Sequence, residues 1–193
     1  MTAATLAEAT LDDLMKVDGK AELIAGRIVP IIPTGYWPGA IAFRISMALA
    51  AWIDVNGKGK VIEDNVGYAF DDPLPSGRQS FSPVSSLYFG DVETKSMRFI
   101  DGYPAFAVEV RSKNDYGRAA ERDMAEKRAD YFVAGTLVVW DVDGIAETVA
   151  KYTGDSPDVS TVFTRGRIAD AEPAVPGWTL NLDNLFAVKS VSS

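Results

Sequence analysis

One stretch limits the possible folds more than any other, residues 105–142. Ala105-Phe106-Ala107-Val108-Glu109-Val110 is a short apolar run broken by a single acid. Behind it Ala120, Met124, Tyr131 and Ala134 recur at helical spacing, up to the stop at Gly135. Leu137 to Val142 is again short and apolar. This switch of period predicts a strand, a helix and a second strand, joined as a right-handed crossover between parallel neighbours. The helix is expected to be capped by Asn114 or Asp115 and to turn Arg122, Asp123, Glu126 and Asp130 to solvent.

The flanking segments read as hairpins and one further helix. Thr10 before Leu11, Leu14, Met15 and Val17 predicts a short capped helix. Glu22 to Ile32 predicts a β-hairpin turning at Ala25-Gly26. Ile41, Ile45, Leu49 and Trp52 mark an amphipathic helix ending near Asn56-Gly57. Strands are expected at Val61–Phe70, Val84–Phe89, Ile145–Tyr152 and Val159–Arg165, with a loop over Asp71–Ser80. Trp178 to Leu185 closes the chain. The expected class is therefore α/β, a mixed β-sheet flanked by helices. With 193 residues, no repeat and no linker, one domain over 1–193 is expected, with 1–9 frayed.

Composition narrows the chemistry. The chain has no Cys and no His. That excludes disulfides, Cys nucleophiles, Cys or His zinc sites and a serine–histidine triad. Proton transfer must come from Asp, Glu, Lys, Tyr or water, and a metal site must use oxygen ligands, hence Mg²⁺, Mn²⁺ or Ca²⁺. The formal net charge of −8 argues against loose, non-specific nucleic-acid binding but leaves room for a local basic groove. The N-terminus has no basic start or apolar core of a leader, and the longest purely apolar run is Met47–Ile53, so a cytoplasmic location is expected.

Three residues stand out as candidates. Glu109 interrupts an apolar strand; the plain reading puts it on a wet face beside Ala107 and Arg111, opposite Phe106, Val108 and Val110. Lys127 falls inside the apolar stripe of the following helix; the plain reading is a lysine snorkelling at the border of a buried face. Glu22 opens the first hairpin, where an exposed glutamate is ordinary. Tyr36-Trp37-Pro38, expected in a loop, could stack on a base or pin that loop to the domain. Residues 134–142 are apolar enough for a central strand, although an edge position would make them a dimer surface.

Three segments together resemble the Uma-type restriction endonuclease family, a branch of the PD-(D/E)XK nuclease superfamily. They are Ala21-Glu22-Leu23-Ile24-Ala25-Gly26-Arg27-Ile28-Val29, then Phe106-Ala107-Val108-Glu109-Val110-Arg111-Ser112, then residues 126–135 with Val138-Val139-Trp140-Asp141-Val142-Asp143. The resemblance implies a restriction-endonuclease-like fold and hydrolysis of phosphodiester bonds at an Mg²⁺ or Mn²⁺ site. In it Glu22 and Glu109 would hold the ion, Lys127 would be a lysine moved from the strand to the helix, and Arg111 would stand at the original lysine position. The sequence departs from the family at two polar positions. Val84 stands where a metal-binding aspartate is expected, and Pro38 or Gly39 where a histidine is expected; Asp64 and Asp91 are the nearest acidic substitutes. Three functions follow from this: a metal-dependent endonuclease acting on DNA, a catalytically inactive descendant serving as a binding or assembly module, and a domain that binds a small anion through Lys127 and Arg111. A homodimer is the expected assembly.

Overall fold

The structure is a computed structural model, and it describes residues 8–93 and 95–188. In chain order the elements are α1 (Leu11–Leu14), β1 (Ala21–Ile24), β2 (Arg27–Pro30), α2 (Tyr36–Asn56), β3 (Lys60–Glu63), β4 (Tyr68–Ala69), β5 (Ser80–Phe81), β6 (Ser85–Tyr88), β7 (Ile100–Asp101), β8 (Phe106–Val110), α3 (Arg118–Ala134), β9 (Val138–Asp143), β10 (Thr148–Thr153), β11 (Ser156–Thr164), β12 (Ile168–Asp170), β13 (Thr179–Asn181) and α4 (Leu182–Leu185).

The crossover unit read from the sequence is the centre of the molecule. β8 and β9 pair in parallel, Glu109 opposite Asp141, with α3 between them in the chain. They lie inside a mixed six-stranded sheet ordered β11-β10-β9-β8-β6-β3, whose other pairings are antiparallel. α2 packs against β3, β6 and β8, and α3 against β9 and β11. Because β9 sits between β8 and β10, it is a central strand and offers no edge for pairing with another chain.

The two faces of the sheet bury different clusters. Ile41, Ile45 and Leu49 of α2 meet Val108, Val110, Trp140 and Val142, and Trp178 and Phe186 from the C-terminal segment close over them. Ala107 and Val139 point the other way, to Tyr131 of α3 and to Tyr68 and Phe81. Both faces of β8 are thus covered, as a central parallel pair requires. The wet face expected beside Ala107 does not exist, since Ala107 has no solvent exposure.

Local chemistry sets the ends of the elements. Thr10 caps α1 in a reciprocal box with Asp13. The hairpin turns at Ala25 and Gly26, both at positive φ. α3 stops at Gly135, whose left-handed φ of 113° suits glycine, and an added Cβ there would meet the Tyr103 ring at 2.6 Å.

Three expectations need correction. The strand expected over Val61–Phe70 is two strands, β3 and β4, because Asp64 and Asn65 turn the chain and Val66 N–H returns to the Glu63 carbonyl. α3 begins at Gly117, not at Asn114 or Asp115, since the Asp115 carboxylate is used by Ser112 N–H in the preceding turn, at 2.7 Å. Tyr36-Trp37-Pro38 is the first turn of α2, not a loop, and Pro38 fits there because early helical N–H groups have no partner anyway. Trp37 pins that turn, its Nε1 donating to the Gly144 carbonyl at 2.9 Å. Of residues 1–9, expected to fray, 1–7 lie outside the described residues, while Ala9 N–H is bonded to the Gly26 carbonyl at 2.9 Å.

Candidate functional site

Three elements far apart in sequence bring Glu22, Glu109 and Lys127 together. Glu22 lies on β1, Glu109 near the end of β8, and Lys127 on the side of α3 that faces the sheet. The Lys127 ammonium sits between the two acids, 3.0 Å from Glu22 Oε1 and 2.9 Å from Glu109 Oε1. Lys127 is therefore an ion-paired residue over the sheet, and Glu109 is half-buried beneath α3. Glu22 is only 5% exposed, not the ordinary open strand end.

Four partners complete the cluster, and pattern reading missed all of them. Arg78 Nη1 donates to Glu22 Oε2 at 2.5 Å, and its Nε donates to Asp130 Oδ2 at 2.8 Å. Ser82 N–H donates to Glu22 Oε1 at 2.9 Å, and the Tyr131 hydroxyl donates to Glu109 Oε1 at 2.7 Å. Asp130, expected on the solvent face of α3, is buried at 6% because Arg78 reaches over it from the 71–80 loop. Helical spacing carried a signal for two of these. Asp130 and Tyr131 follow Lys127 by three and four residues and so share its side of the helix.

Charge pairing explains the protonation of the cluster. Burial pushes the Glu22 carboxyl up, but Lys127 and then Arg78 outweigh it and hold the group below its ordinary value. Burial likewise lowers Lys127, and the neighbouring Glu109 and Glu22 reverse this, raising it above its ordinary value. Tyr131 is pushed well up, by burial first and then by Glu109 and Glu22, so its hydroxyl stays a proton donor. The signs give a testable pH profile. A lowered Glu22 stabilises the fold above its ordinary value of 4.5, and this is lost as pH falls through the lower folded value. A raised Lys127 stabilises it below 10.5, and this is lost as pH rises through the higher folded value. In urea unfolding across pH, Glu22→Gln should flatten the acid limb and soften the alkaline one, where Glu109 still holds Lys127 up, and Lys127→Met should remove the alkaline limb and weaken the acid one, where Arg78 still holds Glu22 down.

The structure does not bring Arg111 into this cluster. Its Nε and Nη2 grip Asp141 with two bonds of 2.8 Å, and it also pairs with Glu121. Asp141 first, and Glu121 after it, hold the Arg111 guanidinium above its ordinary value against burial. Arg128 also reaches Asp141, at 3.4 Å, and lies over the Tyr152 ring at 4.2 Å. Arg111 is thus an internally paired arginine beside the site, and it leaves Lys127 as the ammonium at Glu109.

Val84 lies elsewhere as well. Its N–H bonds the Val108 carbonyl, but its side chain packs with the α2-side core. There it lines a cleft of about 160 Å³ with Pro38, Gly39, Val110, Glu63 and Asp64. The two positions where the sequence departs from the family pattern, Val84 and Pro38-Gly39, therefore share one cleft with Asp64. Asp64 is paired with Lys20.

The donors present do not fit a divalent ion. Glu22 has one oxygen engaged by Arg78 and the other by Ser82 and Lys127. Glu109 Oε1 is engaged by Lys127 and Tyr131, so among these four oxygens Glu109 Oε2 alone has no protein partner. Mg²⁺ and Mn²⁺ can complete their shells with water, but they still need one or two carboxylates free to face them; here three of the four carboxylate oxygens already face internal donors, and among the described residues no three acidic side chains form a group that could hold a metal.

Comparison with known proteins agrees with the fold. A crystal structure described as a putative nuclease belonging to DUF820, from Anabaena variabilis, superposes with a TM-score of 0.72, at 18% identity, covering 92% of this chain and 97% of that one. No curated protein matches the chain. Residues 9–183 match the model of the family Uma2, described as "Putative restriction endonuclease". A match over nearly the whole length, on the nuclease fold, means that the chain belongs to the Uma2 family.

Proposed function

We propose that this protein is a nuclease-fold domain that no longer hydrolyses phosphodiester bonds and serves as a binding or assembly module. The observation that carries this reading is the saturation of Glu22 by Arg78, Ser82 and Lys127. An acid locked between two internal cations is a structural strut. Recruiting it to a metal would take from Arg78 one of its two acids and set a divalent ion beside two buried cations, which is expensive.

One observation favours the other reading, an Mg²⁺- or Mn²⁺-dependent endonuclease acting on DNA. Glu22, Glu109 and Lys127 do converge, and two acids with a lysine are the groups such chemistry uses. Metal binding separates the two. Calorimetric titration of the whole protein with Mn²⁺ should give no saturable heat below the millimolar range, and Glu109→Ala should not alter the trace. Saturable micromolar binding that Glu109→Ala abolishes overturns the non-hydrolytic reading.

A further inference from the structure

Helix α2 has two faces, and the sheet uses only one. Ile41, Ile45 and Leu49 are fully buried in the core. On the other side Tyr36 is 89% exposed, Phe43 61% and Met47 56%. Ala40 and Ala50 are half-buried beside them, and Asp54 is exposed at the far end. At 3.6 residues per turn these six positions stay within about 40° of one line along the helix. Arg44, the other charged residue of α2, is turned into its own chain. Its Nη1 donates to the Leu185 carbonyl at 2.7 Å, and its guanidinium lies over the Trp37 ring. The outer stripe is therefore apolar over most of its length, with one hydroxyl at one end and one carboxylate at the other.

The order of residues along the stripe is symmetric about Ile45. Tyr36 and Asp54 stand at equal distances on either side of it, as do Ala40 and Ala50, and Phe43 and Met47. We infer that this face is the interface of a homodimer in which α2 of one copy lies antiparallel to α2 of a second copy. A twofold axis beside Ile45 then sets Phe43 against Met47 of the second copy, twice, at the centre. Ala40 meets Ala50 of the second copy and lets the helices approach. Each Tyr36 hydroxyl donates to the Asp54 carboxylate of the other copy at the two ends. The pairing is complementary in shape and charge. The two Asp54 carboxylates are about 27 Å apart along the helices, well beyond the ~8 Å Debye length at physiological salt, so they do not oppose it. A second copy fits better than a lipid surface. α2 has the length and apolar composition of a membrane-crossing helix, but its inner face is committed to the core, and a bilayer offers no partner for Asp54.

The inference is independent of what the Glu22 cluster does. It is tested on the full chain by sedimentation equilibrium at micromolar concentration. The wild type should sediment as a dimer and Met47→Glu as a monomer, with unchanged circular dichroism and with a melting temperature that no longer rises with protein concentration. Since the chain has no cysteine, introduced cysteines report geometry cleanly. An equimolar mixture of Ala40→Cys and Ala50→Cys chains should oxidise mainly to the mixed 40–50 species. A wild-type monomer, a dimer that survives Met47→Glu, or dominant 40–40 and 50–50 links would each overturn the proposal. So would a monomer that binds phosphatidylcholine–phosphatidylglycerol vesicles through Met47.

Discussion

Arg78→Ala should be the most destabilising single change in the site, lowering stability by about 3–5 kcal/mol. Arg78 is the shared cation of Glu22 and Asp130, and all three side chains are less than a tenth exposed. Removing it leaves Asp130 without its bonded partner, and Glu22 with Lys127 alone to balance its charge. For a chain of this size that is a fall in melting temperature of roughly 10 °C. The cost is that of stranding acids, not of losing a favourable contact, and a double mutant separates the two. Glu22→Gln added to Arg78→Ala removes one stranded charge and should return part of the loss. A single-mutant loss below ~1 kcal/mol, the size of an exposed ion pair, would mean that the cluster does not support the fold as described.

The second large effect is expected at Val84. Val84→Asp puts a carboxylate into the apolar wall of the α2-side cleft, beside Glu63 and Asp64. Without metal it should cost ~1–3 kcal/mol, the penalty of an acid buried without a partner. The same change gives the cleft a third carboxylate, a hard-ion donor set that the wild type lacks. Mn²⁺ should then stabilise the mutant selectively, by about 2.7 kcal/mol at a hundredfold excess over its dissociation constant. Thermal unfolding of both forms, with and without Mn²⁺, checks this. Equal response of the two forms would mean that position 84 is not where the family's aspartate acts.

The crossover at 105–142 was legible because its period changes twice, and the helix stop at Gly135 because only a left-handed residue fits there. The hairpin at Ala25-Gly26 was legible for the same reason. Glu109 was misleading by pattern. Strict alternation suggested a wet face, yet α3 covers that face, and only a tertiary contact reveals it. Lys127 was marked by its place inside the apolar stripe of α3, although that mark alone read as a snorkelling lysine; Glu22 stood out only through resemblance to a family, since neither spacing nor polarity marks it. Arg78 had no signal at all. An arginine in a loop with two prolines and a glycine looks like solvent decoration until the fold lays that loop over α3. Asp130 was placed outward because its charge was read without a partner, although its spacing from Lys127 put it on the site's side of the helix.

On the proposed reading the nuclease fold is kept while Glu22 and Glu109 are held by internal cations instead of a metal. The most direct test is nicking of supercoiled plasmid by the wild type, with Mg²⁺ and separately with Mn²⁺, beside Glu109→Ala purified in the same way. On that reading no metal-dependent nicking above the Glu109→Ala level is expected. Nicking that requires the metal and disappears with Glu109→Ala would contradict it.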